Sequence, residues 1–270
     1  MSSAIGGVDH CIVLVRDLAA ARETWERLGF RVLPRGLHSA RMGTANHTLM
    51  LADDYVELLG TVGETEENLR WRDRLSGAGE GLVAIALRLF DAEAAHAELA
   101  ARGLLPLPLL SFGRSVALAG PGAIEARFEV FHLPSPVSPE CRLFFCRHLT
   151  PGATWPPGST EHPNGAVAIE SFTIRATDPR AAAEAAARAC GRAVTQRDGM
   201  AAVETGRARL LFAPTNGGGE GIDEIAVRVR DLDVAAASLE AGGFSPQRNG
   251  GALSLKRAET NGVSLRLVRA

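Results

Sequence analysis

The chain has 270 residues, 46% hydrophobic and 22% charged, with a net charge of −2 at pH 7. Such a chain can bury a sizeable core in two domains, and its near-neutral charge offers no electrostatic footprint for nucleic acid or an acidic membrane. No apolar run reaches the roughly 20 residues that span a bilayer, and "MSSAIGGVDH" lacks the basic and apolar regions of a signal peptide, so a cytoplasmic protein is expected, with Cys11, Cys141, Cys146 and Cys190 reduced.

In chain order, "VDHCIVLVRDLAAARETWERLGFRVL" reads as a strand, a turn at Asp17, a helix and a glycine stop. Three strand-like segments follow: "FRVLPRG", "HTLMLAD" and "DYVELLG". The pattern repeats in "EGLVAIALRLFDAEAAHAELAARGLLPL", with Asp91 and Gly103, followed by "RSVALAG" and "ARFEVFHL". It returns in "GAVAIESFTIRATDPRAAAEAAARACGRAV", with Asp178 and Gly191, followed by "MAAVETG" and "ARLLFAP". After the linker "NGGGEG" comes a fourth copy, "EGIDEIAVRVRDLDVAAASLEAGGFSP", with Asp231 and Gly242-Gly243, then "ALSLKRAE" and "GVSLRLVR".

Each aspartate can cap its helix by accepting from free first-turn amides, and each glycine can supply the left-handed stop. Units this small cannot bury both faces of their own sheet. The expectation is therefore an α+β protein of four βαβββ-type units paired into two domains. Each would be a curved mixed sheet with helices on the outer face, at residues 1–150 and 151–270. The Pro- and Gly-rich stretch from Pro134 to Gly165 separates the pairs.

His10 opens the first strand beside Asp9, and it is either a capped core histidine or one corner of a site. Glu57 sits among Val56, Leu58 and Leu59, where a buried carboxylate needs a cation or a donor.

The repeat, with "DH" opening the first strand and "YVEL" closing the unit, resembles the vicinal oxygen chelate superfamily, which includes glyoxalase I, bleomycin-resistance proteins and extradiol dioxygenases. "GTANHTLML", "YVELLG", "FFCRHLTPGATW" and "EHPNGA" resemble its glyoxalase-like domain proteins more narrowly. The resemblance implies a cleft in which a divalent ion is held by residues of the first and last strands of each unit. It implies His10 and Glu57 as ligands in unit one and, in unit two, Ala84, which cannot bind metal, with Glu129 as the last-strand residue. The first-strand equivalents in units three and four are Ser171 and Glu224, so any site belongs to the first domain, and a dioxygenase of the ordinary arrangement is disfavoured.

The expected metal ligands are His10, Glu57, Glu129 and His148, for zinc, iron, manganese or nickel alike. Glu57 or Glu129 would act as base, and His38, Asn46 and His47 would contact substrate. Arg41 and Trp155 could line the cleft. His96 reads as an ordinary helix residue, His132 as a weaker candidate, and His162 as a turn former. The expected activity is Lewis-acid catalysis on a small oxygenated substrate with enolate-type stabilisation, of lyase, isomerase or dioxygenase type. The alternatives are a bleomycin-resistance-type sequestering protein without metal chemistry and an extradiol-type dioxygenase. The partner is a small molecule. The second domain is assigned to structure or dimerisation, which leaves a homodimer open.

Overall fold

The computed structural model of the chain describes residues 3–117, 123–134, 137, 140–215, 217 and 219–270. Parts of the expected segments "RSVALAG" and "NGGGEG" lie outside the described residues. The first unit comprises β1 (Ile5–Leu14), α1 (Leu18–Arg27), β2 (Gly36–Leu37), β3 (Thr44–Met50) and β4 (Tyr55–Thr61), with α2 (Leu69–Gly77) leading out of it. The second comprises β5 (Gly81–Leu89), α3 (Ala92–Ala101), β6 (Leu110–Ala117), β7 (Ala123–His132) and β8 (Arg142–His148), followed by α4 (Pro151–Thr154). The third is β9 (Ala166–Ala176), α5 (Pro179–Cys190), β10 (Val194–Arg197), β11 (Met200–Glu204) and β12 (Arg209–Pro214). The fourth is β13 (Gly221–Val229), α6 (Leu232–Ala241), β14 (Gln247–Asn249), β15 (Ala252–Leu255) and β16 (Ser264–Arg269).

All four helices of the repeat start as the sequence demands. Asp17, Asp91, Asp178 and Asp231 each accept from first-turn amides. Only α5 ends on a left-handed glycine cap, at Gly191; in the other three the left-handed glycine (Gly29, Gly103, Gly243) follows one residue past the cap. Helices α2 and α4 and strands β10 and β14 are additional to the expected segments, and two further differences bear on the site. Of "FRVLPRG" only the final Gly36 enters a strand, the two-residue β2, because Pro34 has no N–H for a ladder. The stretch after Pro134 is more than a separator, since it contains β8, whose continuous run Leu143-Phe144-Phe145-Cys146 lacks the alternation that marks a strand.

Units one and two form one eight-stranded sheet in the order β2-β3-β4-β1-β5-β8-β7-β6, and units three and four repeat it as β10-β11-β12-β9-β13-β16-β15-β14. The first sheet curls until its ends approach, so it is nearly barrel-like. Helices cover the convex faces. There Cys11, Val13, Trp25, Ile85 and Leu99 join Ile169, Phe172, Ala186 and Leu239 in one apolar cluster that runs from one sheet into the other. A separate cluster of Ile12, Leu14, Leu59, Trp71, Ala84, Phe128 and Phe144 lines the concave face of the first sheet.

The register exposes a two-fold relation. β1 and β5 are antiparallel, with His10 opposite Ala86 and Ile12 opposite Ala84. β1 runs parallel to β4 with His10 beside Tyr55 and Ile12 beside Glu57, while β5 runs parallel to β8 with Ala84 beside Arg142 and Ala86 beside Phe144. Glu57 therefore corresponds to Phe144 in unit two. By the same pairing it corresponds to Leu211 and Arg266 in the second domain.

Each central strand also carries a β-bulge just before the His10-equivalent position, which adds Asp9, Val83, Glu170 and Asp223. Three of these are acids, and each meets an arginine of the partner unit: Asp9 with Arg88 at 2.8 Å, Glu170 with Arg228 at 3.1 Å, and Asp223 with Arg175 at 3.0 Å. Where the bulge residue is Val83, the residue matching those arginines is Leu14, and both lie in the apolar concave cluster.

Asp54 joins the domains. It is 2% exposed and accepts the Ile169 amide on both oxygens, at 3.1 and 3.3 Å. Burial, against the effect of that amide, raises its pKa from 3.8 to about 7. A carboxyl with a raised folded pKa keeps its proton longer in the fold, so its contribution to stability falls as pH rises between those two values. Asp54→Asn retains an acceptor for Ile169 and loses the titration. We expect it to flatten the decline of thermal stability across that interval and to gain on the order of 2 kcal/mol above it, as measured by melting at a series of pH values.

Candidate functional site

The concave face of the first sheet encloses a cavity of about 510 Å³, a volume suited to a small organic ligand. His10, Asn46, Tyr55 and Glu57 line its floor and His38 enters from beyond β2. Strand alternation alone would send Asp9 and His10 to opposite faces. The bulge instead turns Asp9 beside His10, fully buried, where its Oδ1 accepts from His10 Nδ1 at 2.7 Å and from His148 Nε2 at 2.8 Å. Its Oδ2 accepts from Arg88 Nε at 2.8 Å. Burial alone would raise the Asp9 pKa, but the His10 and His148 hydrogen bonds outweigh it and hold the carboxyl well below its usual range.

A carboxylate can only accept, so His10 donates through Nδ1, and in its neutral form it presents the lone pair of Nε2. Tyr55, the only tyrosine of the chain, stacks on the imidazole at 4.4 Å between ring centres, and Phe144 meets it edge-on at 5.3 Å. Nε2 thus points at Glu57 Oε2, 3.7 Å away. Glu57 Oε1 accepts from Asn46 Nδ2 at 2.7 Å and lies 4.0 Å from His38 Nε2. His38 is oriented by the Thr44 hydroxyl at 2.8 Å from its Nδ1, and burial lowers its pKa.

Two ligand atoms each about 2.1 Å from a tetrahedral metal ion stand about 3.4 Å apart. The His10–Glu57 separation fits that spacing, with His38 on the far side of the carboxylate. A second arrangement shares His10: Asp9, His10, Cys146 and His148 each bring a ligand atom within 4.8 Å of the others and could hold an ion. There the Asp9 to histidine distances are those of hydrogen bonds, and burial pushes the Cys146 thiol well above its usual pKa, away from the thiolate a metal needs. The donor chemistry favours the cavity-facing set, with Asp9 as the carboxylate that orients a ligating histidine from behind.

The other expected residues are placed as follows. Glu129 is on β7, outside the cavity, with Arg147 3.2 Å from its carboxylate. The last strand of unit two is β8, so the residue matching Glu57 there is Phe144, not Glu129. His148 is on β8 behind His10, bound to Asp9 and away from the cavity. His47 faces the helix side, with its Nδ1 2.8 Å from the Leu33 carbonyl, and does not reach the cavity. Asn46 and His38 do reach it. Arg41 lines the mouth but is paired with Glu67, and Trp155 donates to Leu51 O behind the floor. His162 is a buried bolt, accepting the Arg31 amide and donating to Met50 O. His132, the weaker candidate, lines the cavity as well. In the second domain the matching positions hold Ser171, Leu211, and Glu224 ion-paired with Arg266 at 3.2 Å.

A profile described as "Glyoxalase-like domain" matches residues 8–190, more than half of the sequence. The chain belongs to the glyoxalase-like domain family. Among curated proteins none matches the sequence of this glyoxalase-like protein. Its fold is shared by solved structures of low identity, in line with the vicinal oxygen chelate resemblance. A hypothetical protein from Staphylococcus aureus aligns with a TM-score of 0.71 at 11% identity, over 97% of this chain and 99% of that one. A mutant of 4-hydroxymandelate synthase from Streptomyces coelicolor aligns at 0.67 and 13% identity, over 99% and 94%. A xylose isomerase-like TIM barrel/4-hydroxyphenylpyruvate dioxygenase fusion protein aligns at 0.64 and 17% identity, over 99% of this chain and 49% of that one.

The role of Asp9 was missed in the sequence because its direction depends on the bulge, and Tyr55 because stacking is a tertiary contact. The signal available for Asp9 was the acid recurring before the first-strand position in units three and four, as Glu170 and Asp223. Removing the Asp9 carboxylate strands Arg88 and frees both histidines. We expect Asp9→Ala to cost about 2–3 kcal/mol in urea unfolding, with Asp9→Asn milder because it keeps one acceptor.

Proposed function

We propose that this glyoxalase-like protein is a divalent-metal-dependent enzyme acting on a small oxygenated substrate in the first-domain cavity. The observation that carries this reading is the free His10 Nε2, held by Asp9 and Tyr55 and aimed at Glu57 from 3.7 Å. His10 and Glu57 would hold the ion from the protein side, leaving its remaining positions to substrate oxygens or water. Bound there, it would supply Lewis-acid polarisation of adjacent substrate oxygens.

The chain's own groups supply the rest. Glu57 presents a second carboxylate oxygen to the cavity and can receive a proton from the substrate. Asn46 holds that carboxylate in place through Nδ2 and keeps Oδ1 free and buried for a substrate donor. Ile12, Leu59, Trp71 and Phe128 exclude water around the reacting atoms.

A sequestering protein of the bleomycin-resistance type is the second reading, favoured by Ala84 and Phe144, which leave unit two without a ligand. Two structural neighbours are a 4-hydroxymandelate synthase and a 4-hydroxyphenylpyruvate dioxygenase fusion protein, so oxygen uptake is measured with 4-hydroxyphenylpyruvate, and with catechols for the extradiol-type alternative. No helix among the described residues is long and apolar enough to cross a membrane.

Elemental analysis of protein purified without chelator decides between the first two readings. We expect about one divalent ion per chain. His10→Ala and Glu57→Gln should weaken its retention ten-fold or more, while Cys146→Ala should retain it. Metal lost in Cys146→Ala but kept in Glu57→Gln would move the ion to the Asp9–His148 cluster and sink the proposed ligand set. Stoichiometric absence of metal would favour sequestration.

A further inference from the structure

The cavity carries more positive charge than its chemistry at His10 and Glu57 requires. Arg70 enters from the first turn of α2, Arg142 from the start of β8, and His132 from the end of β7, all lining the same wall. The two carboxylates that line the cavity are already engaged, Glu57 by Asn46 and Glu67 by Arg41. Among the described residues, neither Arg70 nor Arg142 has a carboxylate partner. His132 lies flat on Phe144 at 5.2 Å, and its buried Nδ1 has no hydrogen-bond partner.

Two guanidiniums gathered against an aromatic wall repel each other unless an anion lies between them. Burial, and after it the charges of Arg70 and Arg142, push His132 down to about 4, so it is neutral at ordinary pH and can donate one ring proton. Arg70 is further braced over the Trp71 ring at 4.2 Å, which keeps its fork at the cavity wall. Between this wall and the floor at His10 lie the apolar Ile12, Leu59, Ala84, Phe128, Val130 and Phe144, with Arg114 over the Phe128 ring at 5.9 Å.

Resting on the proposed site, we infer that the substrate is an amphipathic organic anion: an apolar body fills the middle of the cavity, and a carboxylate or phosphate at its far end is held by Arg70, Arg142 and His132. Arginine forks match the planar geometry of such groups and bind them with paired, charge-assisted hydrogen bonds. Arg142 stands at the position that Tyr55 occupies in unit one. The two-fold relation thus places the ion-holding wall and the anion-holding wall on opposite halves of one cavity.

The test is binding of 4-phenylbutyrate, 4-phenylbutanamide and 4-phenylbutyl phosphate to the full chain by calorimetry, before and after treatment with chelator. One of the anions should bind about ten-fold or more tightly than the amide, and the better of the two assigns carboxylate or phosphate. Arg142→Gln and Arg70→Gln should each erode that preference while leaving amide affinity unchanged, and Arg142→Lys should restore part of it. The preference should survive chelation, so failure of the metal reading leaves this result standing and the reverse is equally visible. Equal affinity for anions and amide overturns the assignment. So does a preference that persists in the folded double variant Arg70→Gln, Arg142→Gln, or the absence of binding by all three at millimolar concentration.

Discussion

One extra residue in a strand governs the chemistry of this molecule. The bulge between Val8 and His10 turns Asp9 toward the concave side, where a carboxylate buried without partners would cost several kcal/mol. Arg88, His10 and His148 together supply those partners. In satisfying the acid they fix the direction of His10, so a demand of folding also presents its Nε2 toward Glu57. The same bulge in the second domain carries Glu170 and Asp223, which are satisfied by arginines. Acid and arginine are therefore the general solution, and the histidines around Asp9, His10 from unit one and His148 from unit two, are what the first domain adds to it.

The two halves of the first sheet have diverged in role without diverging in geometry. His10 and Glu57 come from unit one, and their counterparts Ala84 and Phe144 give unit two an apolar surface. Arg142 then occupies the place of Tyr55, and the wall it forms with Arg70 and His132 faces the polar floor. The second domain has filled the equivalent positions with Ser171, Leu211 and a Glu224–Arg266 ion pair, and it contributes support through Asp54 and the shared helix-side core.

Much of the fold was legible because it is written in local terms. Four aspartate caps, four glycines past the helix ends and period-2 strands each act within a few residues, and all recur at matching offsets. β8 was not legible, since a run of consecutive apolar residues in a Pro-rich setting looks the same as a linker. Missing that strand shifted the counterpart of Glu57 to Glu129, when the register puts Phe144 there. Of the candidate histidines, His38 shares a cavity with His10 while His47 turns to the helix side. Both lie in the same short region of sequence, and what separates them is the course of the loop after β2 for His38 and the phase of β3 for His47.

The sequence by itself determined the unit, its four-fold repetition, its pairing into two sheets and the presence of one unit rich in ligands, because helix capping and side-chain alternation are short-range forces. The tertiary structure alone decided which atoms meet. The direction of Asp9 depends on a bulge in the ladder with β5, and the gap between His10 and Glu57 depends on the register of β1 against β4. The gathering of Arg70, Arg142 and His132 depends on sheet curvature. Each of these is a long-range pairing, and long-range pairings leave no periodicity in the chain that forms them.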